Sequence, residues 1–201
     1  EIARALDRFG VDGQPTSPGH KGQRGGRNSP TVYNAAIHIT QFWDGREPDV
    51  EAQAKGPVLN PVEMAMPSGD AVVAVLESIP GYAPAFAAAF PDDASPITYD
   101  NMATAIGAFE RGLMTPAAVD RFIAGDDAAL GAQARKGFTL FLQNGCVSCH
   151  TGPAIGGGMY RKMGLVNAYK MTDDGRFAVT GNESDRGVFK VPSLRNITKT
   201  G

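Results

Sequence analysis

ARKGFTLFLQNGCVSCHTG, residues 134–152, runs a helical pattern straight into the only two cysteines of the chain. Leu130, Ala134, Phe138, Phe141 and Leu142 recur at helical spacing and predict a helix over about 127–143, with Gly145 just past its end. Cys146 and Cys149 follow, separated by two residues, with His150 directly behind. Such a group is a c-type haem attachment site, half a zinc site or a redox dithiol. In the haem case two thiols add across the vinyl groups and the adjacent imidazole reaches the iron. Gly137 permits close approach of another element, and Phe138 and Phe141 supply an apolar wall for the ring. A structural zinc site needs four ligands, and the remaining histidines, His20 and His38, lack finger-like spacing. A thioredoxin-like dithiol needs a βαβ context, whereas here a helix precedes the cysteines and loops follow. The reading is covalent haem c, with His150 as its proximal iron ligand. Met159, Met163 and Met171 follow the motif and are candidates for a sixth ligand, although loop and core packing explains each of them better.

The rest of the composition bounds the partners. With 42% hydrophobic and 20% charged residues and a net charge of −2, the chain reads as globular. It gives no electrostatic reason to expect nucleic acid or an anionic membrane. The apolar run GYAPAFAAAFP (81–91) is too short and too broken by proline to span a bilayer, so no membrane span is expected. The first residues carry no signal-peptide pattern, as in a cytosolic or a mature, processed chain. Twenty-five glycines and 14 prolines imply long ordered loops between helices.

Along the chain, residues 1–9 read as a short helical piece and 10–30 as a Gly/Pro-rich loop. Ser29 and Pro30 then look like a helix start. Val32, Ala35, Ala36, Ile39 and Trp43 form an apolar stripe that runs to Asp44–Gly45. Short helices are predicted near 49–54 and 82–90. A longer one starts at Ser68 and carries Val72, Val75, Leu76 and Ile79; another spans about 100–113 with Met102, Ile106, Phe109 and Leu113 inward. Ala117–Ile123 reads as a helical turn. FAVT (177–180) and GVFKV (187–191) are the only strand-like runs. The fold class is mostly α.

GHKGQRGGRNSPTVYNA (19–35) and QFWDGREPDVEAQAKGPVLNPVEMAMP (41–67), together with the 125–153 segment and FKVPSLRNITKTG (189–201), resemble the bacterial di-haem cytochrome c peroxidase family, which includes the MauG-type enzymes. The resemblance covers residues 10–201 in order. It implies two cytochrome c-like haem domains with long loops and few short strands: 1–115, a partial peroxidatic domain, and 116–201, an electron-accepting domain. It implies reduction of hydrogen peroxide with electrons from a small cytochrome c or a copper protein, a calcium ion between the domains, a periplasmic location and a homodimer. Residue by residue, Cys146, Cys149 and His150 match the electron-accepting haem site. His20 matches the distal iron ligand of the peroxidatic haem, and Trp43 the residue between the haems. Gln53 and Glu63 match the distal-pocket pair, with Met64 beside them. Asn28 and Thr200 match calcium ligands. The chemistry suits these types. A carboxylate such as Glu63 in a partly dry pocket can take a proton from one peroxide oxygen and return it to the other. Gln53 can hydrogen-bond without adding charge, and calcium prefers oxygen donors. On residues alone, Glu63 would be a solvated acid, Trp43 core, His20 a loop histidine, His38 structural or exposed, and Lys21–Arg27 a solvated basic run.

The chain departs from the family in carrying no cysteine before 146: Gly10 follows EIARALDRF where the first haem attachment is expected. It also ends at Gly201 inside a motif that the family continues. Omitted residues, a fragment, or true loss of the first haem would each account for this. The retained His20, Gln53 and Glu63 favour the first two. Two alternatives therefore stand beside a peroxidase: a mono-haem electron carrier without catalysis, and a MauG-like enzyme acting on a protein substrate.

Overall fold

The computed structural model describes residues 6–200. Regular structure there is almost all helical: α1 (Val50–Leu59), α2 (Gly69–Glu77), α3 (Tyr82–Ala89), α4 (Tyr99–Arg111), α5 (Ala118–Ile123), α6 (Ala132–Gln143) and the single turn α7 (Phe177–Thr180). Two short strands, β1 (Tyr160–Lys162) and β2 (Val188–Lys190), pair antiparallel with Tyr160 opposite Lys190. The sequence thus yields a mostly helical fold with few strands. No single described helix is long and apolar enough to cross a membrane, although α2 and α3, bent by 111°, pass together on length and composition.

Helix starts follow local chemistry. Asp49 accepts from the Ala52 amide at 2.8 Å, Ser68 from Ala71 at 3.2 Å and Thr98 from Asn101 at 3.0 Å, each meeting a donor the first turn leaves orphaned. α1 runs past the expected stop at 54, through Pro57. Proline lacks an N–H, so the Gln53 carbonyl loses its ladder partner inside the helix. α1 packs on α4, with Val50 and Ala103 each 2% exposed. Gly107 is the close-approach point, since a Cβ there would strike the Glu51 side chain, which Arg111 of α4 pairs with.

Several sequence expectations are corrected. Residues 30–43 form no α-helix; only Ala35–Ile37 closes a 3₁₀ turn, and Asn34 and Phe42 take left-handed φ of 61° and 64°. The reason is tertiary: buried Asn34 donates its amide to Leu113 at 2.9 Å and exchanges side-chain bonds with Thr115, anchoring the loop to the end of α4. Ser29 does not cap; its hydroxyl meets that of Ser17. FAVT is a helical turn, closed between left-handed Gly175 and Gly181. The helix expected over 127–143 is split into a 3₁₀ turn at Asp127–Ala129 and α6. Inward assignments on α2 and α4 also shift: Val75 and Phe109 are 50% and 55% exposed, and α4 buries Ala103, Gly107 and Glu110 instead. Of the helical piece expected at 1–9, residues 1–5 lie outside the described residues, and Leu6–Arg8 forms a 3₁₀ turn.

Candidate haem site and peroxide pocket

α6 ends at Gln143 with Asn144 as its C-cap, and Gly145 turns the chain with φ 74°, a conformation that favours glycine. The 3₁₀ turn Cys146–Ser148 follows, and the His150 amide donates to the Cys146 carbonyl at 2.9 Å. A 3₁₀ turn nearly eclipses side chains three apart, so both thiols fall on one side of it. Arg161 Nε donates to Cys149 Sγ at 3.3 Å and, with the Ser148 hydroxyl second, draws that thiol below its usual pKa. The thiolate is the form that forms covalent bonds.

Beside this turn lies a cavity of about 420 Å³. Val119 and Ile123 of α5, Phe138 and Phe141 of α6, Ile155 and Leu194 wall it, and His150 lines it. Phe138 is held edge-on by Phe122 at 5.4 Å between centroids. α6 has no buried residue, and Leu140 and Leu142 on it and Val147 in the following turn are 46%, 44% and 38% exposed, so this stretch presents more apolar surface than the described residues cover. His150 Nδ1 is buried without a hydrogen-bond partner. An apolar cavity, a thiol pair on one side and an imidazole fit a covalently held haem. Nearby, Arg195 donates to the Pro153 carbonyl at 2.5 Å and to both Asp120 carboxylate oxygens.

The second group of predicted residues lies in the other half of the chain. His20 is exposed, yet its amide donates to the Val62 and Glu63 carbonyls at 2.9 and 2.8 Å, so the His20 loop sits against the Glu63 turn. Glu63 is half-buried and its Oε1 accepts from Asn60 Nδ2 at 2.8 Å; Asn60 Oδ1 in turn accepts the Val62 amide. Gln53 is half-buried on α1, and Met64 is 50% exposed. Asn60 was not singled out from sequence, although its place three residues before Glu63 in LNPVEM is the signal that could have found it.

Trp43 joins the two halves. Its indole N–H donates to the Asn28 carbonyl at 2.9 Å, and its own carbonyl accepts from the Lys190 amide of β2 at 2.8 Å. Nearby, Arg27 is no solvated loop residue. It pairs with Asp44 and with Asp173, both at 2.6 Å, and these carboxylates raise its pKa further. The expected calcium ligands are less well assembled. The Asn28 carbonyl is engaged by Trp43, Thr200 Oγ1 donates to Asn196, and no cluster of three or more His, Cys, Asp or Glu that could hold a metal occurs among the described residues. Calcium takes six to eight oxygens, which backbone carbonyls and waters supply as well as carboxylates. His38, read as structural or exposed, is half-buried and hydrogen-bonded to Lys190.

Residues 5–128 match the family model for di-haem cytochrome c peroxidase, a segment that contains His20, Trp43, Gln53 and Glu63. The cytochrome c551 peroxidase of Pseudomonas aeruginosa is 47% identical over 197 residues, covering 95% of this chain and 57% of that protein. The methylamine utilization protein MauG of Methylorubrum extorquens is 38% identical, covering 87% of this chain and 49% of its own length. Among solved structures, a MauG-like protein associated with microbial copper homeostasis superposes with a TM-score of 0.86 at 28% identity, over 98% of this chain and 63% of that one. The diheme peroxidase BthA from Burkholderia thailandensis shares the fold at a TM-score of 0.73 and 20% identity. The chain spans less than two thirds of the relatives it matches. It belongs to the di-haem cytochrome c peroxidase family.

Proposed function

We propose that this chain forms part of a periplasmic cytochrome c peroxidase, in which hydrogen peroxide takes two electrons and two protons to give two waters, the electrons coming from a small redox protein. The observation that carries the reading is the union of the His20 loop with the Glu63 turn through paired backbone hydrogen bonds. That union sets the exposed His20 loop against the turn whose carboxylate Asn60 orients.

Haem held by Cys146 and Cys149, with His150 on the iron, supplies the one-electron chemistry when bound. The remaining work falls to side chains. Asn60 fixes Glu63 Oε1, which leaves Oε2 as the atom that takes a proton and returns it. Gln53 orients peroxide through a neutral amide. His20, on an exposed loop, is placed to bind in one state and leave in another. Trp43, tied at both its ring and its backbone, spaces the two halves. The finer assignments belong to the same reading: two haem domains divided near 115–116, a second haem beside His20, calcium bound in part by Asn28 and Thr200, and a homodimer. A mono-haem carrier is the second reading, and the single cysteine pair of the chain favours it.

Glu63→Gln separates the two. In the natural protein, matured with its haem-attachment machinery, the variant should lower peroxide-driven oxidation of a reduced cytochrome c by about 10²–10⁴-fold with haem content unchanged. Full activity in the variant, or none in the parent protein, would sink the peroxidase reading.

A further inference from the structure

Lys190 is one of the few buried charged residues, 6% exposed at the end of β2. Its Nζ donates to the Thr40 carbonyl at 2.7 Å and lies 3.2 Å from His38 Nδ1, while its backbone amide donates to the Trp43 carbonyl at 2.8 Å. One residue therefore grips the 40–43 turn at both ends, and Trp43 hangs from it. The His38 ring is pressed on Gly157, where a Cβ would collide with the imidazole, and His38 Nε2 is buried without a partner. Gly157 in turn donates to Val191 and accepts from Ile39, in the segment that continues from the Ile155 wall of the haem cavity.

We propose that Lys190, braced by His38, is a positioning residue for Trp43 whose grip on the 40–43 turn changes with the proton on Lys190. The role rests on the reading of Trp43 as the spacer between the two halves. Charged, Nζ makes charge-assisted bonds to Thr40 and His38. Neutral, it gives up one of three donors and the charge that strengthens the other two. Burial pulls the Lys190 pKa down to about 8, against the attraction of Asp44, so the change falls within an accessible range. Burial and then the Lys190 charge lower His38 to about 4, so it stays neutral there. The other groups facing this site hold fixed roles. Asp44 is engaged by Arg27 and Arg46; Tyr160, opposite Lys190 on β1, meets Thr40 and Arg176; and Arg176 also caps the Asp44 and Gly45 carbonyls.

The test uses the single tryptophan. The haem-loaded protein is labelled with 5-fluorotryptophan, fully reduced and saturated with carbon monoxide so that the ferrous iron is diamagnetic, and followed by ¹⁹F NMR from about pH 7 to pH 9.5, the window in which a lowered lysine titrates. Trp43→Phe assigns the signal. The expected result is one transition with a midpoint of about 8, absent in Lys190→Met and moved by about half a unit or more in His38→Gln. A flat parent titration, or a transition that persists in Lys190→Met, overturns the proposal. Should Lys190→Met not fold, an unmoved midpoint in His38→Gln overturns it as well. The readout needs no peroxide turnover. A transition in a protein without peroxidase activity would defeat the functional reading and leave the clamp standing.

Discussion

His38 is held neutral where solvent would protonate it, because burial, and next the nearby Lys190 charge, lower its pKa to about 4 from 6.5. Between those values the unfolded chain binds a proton that the folded chain refuses. Stability therefore falls as pH falls through that window. The shift corresponds to on the order of 3 kcal/mol at its acid end. Denaturant titrations at pH 7 and pH 4.5 should show a smaller acid loss in His38→Gln than in the parent, and equal losses would refute the assignment. Lys190 works in the opposite range. Its pKa is lowered from 10.5 to about 8, so stability rises as pH rises between these values. Neither property was legible in sequence. His38 lay off an apolar stripe that imitated a helix, and its partner Lys190 lies far along the chain. Only the fold brings them together.

Among the elements, α5, α6 and the FKVPSLRN segment form the haem cavity, and one side chain ties the first to the last. Arg195, only 9% exposed at its side chain, pairs with Asp120 of α5 and also donates to the Thr115 and Pro153 carbonyls. The guanidinium holds the Asp120 carboxyl below the usual carboxylate range. That contribution is present above the ordinary carboxylate pKa and is lost as pH falls through the lowered one. Arg195→Ala leaves three acceptors without their donor and should cost about 2 kcal/mol, read as a lower Tm at pH 7 that converges with the parent in acid. An unchanged Tm would show that α5 is held by other contacts. At this scale the sequence was informative where periodicity was strong and local. α2, α3, α4 and α5 lie close to their expected spans because their signals are local, side-chain caps at Ser68 and Thr98 for α2 and α4 among them. FAVT was misread because β-branched residues suggested extension, while the glycines on either side, free to take left-handed φ, close it into a turn.

Across the whole molecule, two groups of candidate site residues come from different parts of the chain and meet through Trp43. The attachment motif was legible because two thiols and an imidazole lie within five residues and need only a 3₁₀ turn to act together. The residues proposed for peroxide chemistry were legible only through resemblance, since His20, Gln53 and Glu63 carry no spacing signal of their own. The seam residues, Arg27 with Asp44 and Asp173, and Trp43 with Lys190, emerge only from the folded chain. The central claim is that the cavity beside Cys146, Cys149 and His150 holds covalent haem. It is tested by expressing this 201-residue chain in a bacterial periplasm with haem-attachment machinery and measuring retained haem by pyridine haemochrome and intact mass. The account predicts one haem per chain that survives denaturation, and none in the Cys146→Ser, Cys149→Ser double variant. A folded chain without covalent haem, or haem retained by the double variant, would contradict it.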